Sequence, residues 1–134
     1  MTHWKSILIL GLALLLLTAC SGPTLDDSSL ESTPDDAAAR TVIDYLQAKI
    51  DADTDRIGAL LCSEMESFLE RESKTFETVS DARLDGATCS FDGDSTVSCE
   101  GQIIATYGTE DTEFGLGNYR VVEEDGEWKW CGEA

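Results

Sequence analysis

Histidine is what this sequence has least of: of 134 residues only His3, near the start of the chain, carries an imidazole. Cationic side chains are scarce as well. Nine Lys and Arg stand against 27 Asp and Glu, a formal net charge of −18, and every acid lies after Cys20. A domain this anionic repels phosphate backbones and anionic headgroups, which excludes nucleic acid as a partner. Solubility and surface solvation account for the acidity better than cation binding does. No apolar run reaches the ~20 residues needed to cross ~30 Å of hydrocarbon, and no internal repeat is present. The cysteines do not form the close pairs usual in zinc sites, so neither a metal nor a cofactor is expected. Asp51-Ala52-Asp53-Thr54-Asp55 opens like a calcium loop. It fails further on, where Arg56 replaces the required glycine and Cys62 the bidentate Glu, and helix capping accounts for it better.

What the N-terminus does have is an apolar run from Ile7 to Leu17, broken only by Gly11 and preceded by Lys5. A dozen or so residues is the length of a signal-peptide core. At its end stands Leu17-Thr18-Ala19-Cys20, then Ser21-Gly22. This resembles the lipobox of bacterial lipoproteins, in which a branched apolar residue and two small ones precede an obligatory Cys. The resemblance implies diacylglyceryl transfer to the Cys20 thiol and cleavage just before it. Two or three acyl chains anchor stably where one is marginal, so the mature chain is expected to be tethered to a membrane on its extracytoplasmic side. That membrane is the cell membrane or, in a double-membrane host, the outer membrane by default, because Ser21 is not Asp. The expected organisation is a signal peptide (1–19), a flexible acylated tether (20–33) rich in Ser, Asp, Thr, Gly and Pro, and one domain (34–134) of ~100 residues, enough for a modest core.

Within the domain, Pro34-Asp35-Asp36 suits a helix N-terminus. Ala39, Val42, Ile43, Leu46 and Ile50 then form an amphipathic stripe. A break at Asp51–Thr54 precedes a second stripe of Ile57, Leu60 and Leu61, and Ser63-Glu64-Met65-Glu66 reads as a capping box that starts a short third helix carrying Met65, Phe68 and Leu69. After Lys74 the period changes to two. Ala87, Cys89 and Phe91 alternate, Asp92-Gly93-Asp94-Ser95 is a turn, and Val97, Cys99, Gly101, Ile103, Ala105 and Tyr107 share a face of the next strand. Phe114, Leu116 and Val122 mark a third strand, Asp125-Gly126 a hairpin turn, and Trp128-Lys129-Trp130-Cys131 the last strand. The class is α+β, with N-terminal helices packed on a curved antiparallel sheet.

Three stretches, Ala39–Leu46, Asp53–Cys62 and Tyr119–Cys131, resemble the first helix, short second helix and closing hairpin of the nuclear transport factor 2-like superfamily, the cystatin-like cone. The likeness spans nearly all of the domain and specifies fold far better than function. Some enzymes of this superfamily work without histidine, through a carboxylate with Tyr or Arg at the bottom of the cone.

Apart from Cys20, the cysteines are Cys62, Cys89, Cys99 and Cys131, an even set that favours disulfides in an exported protein. Three connectivities exist. A three-residue loop, Gly93-Asp94-Ser95, sets Cys89 opposite Cys99, which leaves Cys62 with Cys131, tying the second helix to the last strand.

Two functional classes remain open. With His3 removed by processing, Ser-His-Asp and Cys-His catalysis are excluded. Alternation places Arg120 with Val122 and Leu116, with Asn118 and Tyr107 pointing the same way, so these three are candidates for a pocket. An isomerase-, dehydratase- or hydrolase-like enzyme would use Arg120 and a carboxylate. The favoured class is a non-catalytic binding or dimerisation module. If Cys131 turns toward the helices, Trp128 and Trp130 turn outward, and with a two-residue turn at Asp125-Gly126 they are joined by Tyr119 and Val121. Such an aromatic face would suit a second copy or an envelope partner.

The anchor carries its own test. Cys20→Ala should abolish lipid labelling and leave the precursor uncleaved, read by metabolic labelling with fatty acid and by mass. Cleavage at the same bond with retained membrane sedimentation would contradict the lipobox.

Overall fold

The computed structural model describes residues 34–134; the signal peptide, Cys20 and the tether lie outside the described residues. Helix α1 (Pro34–Ile50) is followed by α2 (Thr54–Leu60), a 3-10 segment (Ser63–Phe68) and α3 (Leu69–Ser73). Strands β1 (Asp81–Phe91), β2 (Thr96–Tyr107), β3 (Glu110–Gly115), β4 (Asn118–Glu124) and β5 (Glu127–Glu133) complete the chain. Among the described residues no helix is long and apolar enough to cross a membrane.

The stripe on α1 is real but broader than expected. Val42, Leu46 and Ile50 are buried together with Ala38, Tyr45 and Ala48, while Ile43 is half-buried. The acidic break after α1 serves capping, as expected: the Asp53 carboxylate accepts the Arg56 amide at 3.0 Å, and Asp51 accepts from Gln47 and Arg56. The capping box at Ser63 does not form. Cys62 occupies the cap position without a side-chain hydrogen bond. The Ser63 amide and hydroxyl instead donate to the Glu124 carboxylate from β4, at 3.1 and 2.9 Å. A strand carboxylate brought in by tertiary structure displaces the local one.

All strand pairs are antiparallel, in the order β1-β2-β4-β5, and β3 also pairs with β2. The expected third strand is therefore two. The break falls at Leu116-Gly117, and both pieces pair with the long β2, through Gln102–Tyr107 and Thr96–Ser98 respectively. The β1–β2 hairpin has the expected register, with Cys89 opposite Cys99. Its turn is held by Asp92, whose Oδ1 accepts the amides of Asp94, Ser95 and Thr96. Midway along this pair β1 carries an extra residue between Asp85 and Thr88. A Cβ on Gly101 (φ 102°) would lie 2.6 Å from the Gly86 carbonyl oxygen, so the bulge depends on glycine there. The β4–β5 hairpin has two residues at its tip, Asp125 and Gly126, both at positive φ, as a type I′ turn requires.

Both disulfides join the expected partners, Cys62 with Cys131 and Cys89 with Cys99. The outward tryptophans are nevertheless wrong. Trp130 is 4% exposed, Tyr119 and Val121 are buried, and Trp128 is half-buried with its ring edge-on to Phe91 at 4.9 Å. The shared face was read correctly, but it is the face that α1 covers. Leu61 pairs with Trp130 as a parallel bridge, and the Cys62 amide donates to the Trp130 carbonyl at 2.9 Å. Cys62 thus runs beside β5, and its sulfur meets Cys131 along the edge of the sheet, without Cys131 having to turn toward α1. A register shift opposite Tyr119–Val121, with Gly132 at φ 106°, lets both Trp130 and Cys131 be buried although adjacent.

Trp130 is therefore a core residue. Trp130→Ala should cost about 3–5 kcal/mol, measured by urea unfolding with far-UV circular dichroism. Loss below about 1 kcal/mol would return the ring to the surface.

Candidate functional site

Positions 45 and 49 lie one helical turn apart on α1, so Tyr45 and Lys49 point at the same neighbour. That neighbour is Glu72 on α3, only 4% exposed. Its Oε2 accepts the Tyr45 hydroxyl at 2.6 Å and the Lys49 ammonium at 2.7 Å, while Oε1 accepts the Arg71 guanidinium at 2.8 Å. Burial pushes the Glu72 carboxyl up, but the hydrogen bonds from Lys49, Tyr45 and Arg71 together outweigh it and hold the group at about 2. The Tyr45 hydroxyl is driven well above its ordinary value, first by burial and then by its bond to that carboxylate. The Tyr45 ring lies flat on Trp130, centroids 3.9 Å apart. The indole Nε1–H of Trp130 is buried and has no acceptor among the described residues.

Beside this stack a pocket of about 290 Å³ opens between α1, the turn after α3 and the covered face of the sheet. Tyr45, Leu46, Phe76, Ile103, Tyr119 and Trp130 are the buried members of its wall, Leu116 is half-buried and Phe114 is exposed. Lys49, Thr75, Tyr107 and Glu133 supply polar groups. Phe76 meets Phe114 edge-on at 6.2 Å. Burial raises the Tyr119 hydroxyl; a bond from the Gly117 amide acts against this, and the charge of Glu133 adds to it.

Of the residues selected from sequence for a pocket, Tyr107 lines this one, 46% exposed. Asn118 lies in a neighbouring shallow recess that shares Tyr119 and Glu133 with the pocket. Arg120 is turned away. Its guanidinium meets Glu64 at 2.6 Å and donates to the Cys131 carbonyl at 3.2 Å, beside the Cys62–Cys131 bond. The grouping of Arg120 with Val122 held within β4, on the face away from the pocket, but Leu116 and Tyr107, expected on the same side as Arg120, line the pocket without it. Conversely Trp130 and Tyr119, expected at an interface, line the pocket. Tyr45, Lys49, Phe76 and Phe114 were not selected from sequence for a site, although Phe114 marked a strand and Tyr45 stands three residues from Val42, on the stripe. Cys62, Glu64 and Cys131 form the sole metal-like grouping found among the described residues, and both sulfurs are committed to a disulfide.

No family model matches the sequence, and no curated protein does. Solved structures do. A SEC-C motif-containing protein from Rhodopseudomonas palustris superposes with a TM-score of 0.53 at 17% identity, over 73% of this chain and 80% of that one. A candidate scytalone dehydratase from Novosphingobium aromaticivorans gives 0.47 at 16%, over 70% and 77%. A candidate NTF2-like transpeptidase from Campylobacter jejuni gives 0.40 at 8%, over 69% and 95%. The first overlap shows a shared α+β fold, and the other two are too loose to carry an argument.

The Glu72 cluster sets an acid limit on stability. The folded carboxyl titrates at about 2 against an ordinary 4.5, so the unfolded chain takes up its proton first as pH falls. The stabilisation is complete above about 4.5, is lost progressively toward 2, and is on the order of 3 kcal/mol. Glu72→Gln should be less stable than wild type at pH 7, with the gap closing between pH 4.5 and 2 in urea titrations. A gap independent of pH would contradict the assignment.

Proposed function

We propose that the protein is an extracytoplasmic lipoprotein, anchored through Cys20, whose domain binds a small molecule in the aromatic pocket without transforming it. The pocket carries this reading. General acid–base catalysis works best with groups that titrate near the operating pH. Here the buried pair beside the pocket, Tyr45 and Glu72, is driven in opposite directions away from neutrality and locked into helix packing. What remains is an apolar wall with a few polar groups, the usual make-up of a recognition site. The resemblance to the nuclear transport factor 2-like cone agrees with a ligand held between helices and sheet.

The enzyme alternative rested on Arg120 with a carboxylate. Arg120 has such a partner in Glu64, but both side chains are largely exposed and neither lines the pocket. The partner face built on Trp128, Trp130, Tyr119 and Val121 loses its support because those side chains are covered. The membrane remains the partner proposed for the N-terminus, through the lipid.

A benzene-sized molecule fits the space, since cavities of ~150 Å³ hold benzene. 4-Fluorotoluene, followed by 19F NMR, should bind the wild-type domain. Leu116→Trp, at a half-buried position between β3 and β4, should remove that binding by filling the pocket, and Arg120→Ala should leave it unchanged. Binding that survives the filling or depends on Arg120 would overturn the reading.

A further inference from the structure

The two charged groups on the pocket lining, Lys49 and Glu133, are held differently. Lys49 is paired at 2.7 Å with Glu72. Arg71, the other cation on Glu72, lies over the Phe68 ring at 4.4 Å and does not line the pocket. Glu133 does line it, is exposed, and has no ion pair among the described residues. It stands opposite Tyr119 in the β4–β5 register. Two further rings, Tyr107 and Phe114, are 46% and 42% exposed on the same lining.

We propose that this pocket selects an organic cation: an ammonium group held between the Glu133 carboxylate and the exposed aromatic rings, on an apolar body that fills the space toward Trp130. The inference rests on the pocket being the binding site and adds the chemical class of its ligand. Three observations converge on it. Aromatic faces attract ammonium ions through the ring quadrupole when these lie within ~6 Å. On the same lining Glu133 supplies a carboxylate that has no ion pair among the described residues. A chain of net charge −18 raises the local concentration of cations and repels anions. A neutral ligand would gain nothing from Glu133, and an anion would be opposed by it. At the ~0.74 packing density of protein interiors, about a dozen non-hydrogen atoms would occupy the space.

The test displaces 4-fluorotoluene with three probes of similar size: benzyltrimethylammonium, its uncharged carbon isostere neopentylbenzene, and the anion phenylacetate. The cation should bind about tenfold more tightly than the isostere and phenylacetate most weakly. Glu133→Gln should weaken the cation several-fold and leave the isostere unchanged. Tyr107→Leu should do the same while Tyr107→Phe keeps wild-type affinity, because the ring and not the hydroxyl is needed. If 4-fluorotoluene binds but the isostere or the anion competes as well as the cation, or if Glu133→Gln changes nothing, the ligand class is wrong and the pocket stands. If 4-fluorotoluene itself does not bind, both readings fall.

Discussion

Tyr45 is the residue on which the arrangement of this domain depends. Its ring lies on Trp130 of β5 and its hydroxyl donates to Glu72 of α3, so one side chain of α1 fixes two other elements. Burying Glu72 is costly unless every charge is answered. Lys49 and Arg71 answer it, and Lys49 comes from the same face of α1 as Tyr45. The helix cannot slide along the sheet without breaking a stack and a buried ion pair together. The pocket lies beside this lock and takes the two stacked rings as part of its wall.

The disulfides act at the other margins of the molecule. Cys62–Cys131 closes a sequence separation of 69 residues, a constraint on the unfolded chain of about 4 kcal/mol in the loop-entropy account. It holds the Leu61–Trp130 bridge in place and so fixes which face of β5 turns to α1. Cys89–Cys99 ties the two strands of the long hairpin, with Cys99 buried in the core and Cys89 packed against it. In a chain of net charge −18, self-repulsion works against compactness, and two covalent ties oppose it without adding apolar area that so small a domain does not have.

Much of this could be read from the sequence wherever the cause was local. The α1 stripe, the Asp53 cap, the Asp125-Gly126 turn and the Cys89–Cys99 register all follow from residues within a few positions of one another. The failures share one character. Alternation placed Trp128, Trp130, Tyr119 and Val121 on a common face, but period two says nothing about which side a distant helix will cover. That choice was made by Leu61 pairing with Trp130, a contact across most of the domain. Ser63 was matched to the nearby Glu66 when Glu124 holds it. Glu72, in an exposed-looking run Leu69-Glu70-Arg71-Glu72-Ser73, carries no local sign that it is buried. The split of the third strand is a different kind of miss: it was read as one strand although the glycines at 115 and 117 flank the break.

The central claim is that the space beside the Tyr45–Trp130 stack is where this protein meets its ligand. Amide chemical-shift mapping of the labelled domain during titration with benzyltrimethylammonium tests it most directly. The account predicts shifts concentrated at Phe76, Ile103, Phe114, Leu116 and Tyr119, with Arg120 and Glu64 silent. Shifts centred on Arg120 and Glu64, or spread evenly over the acidic surface, would contradict it.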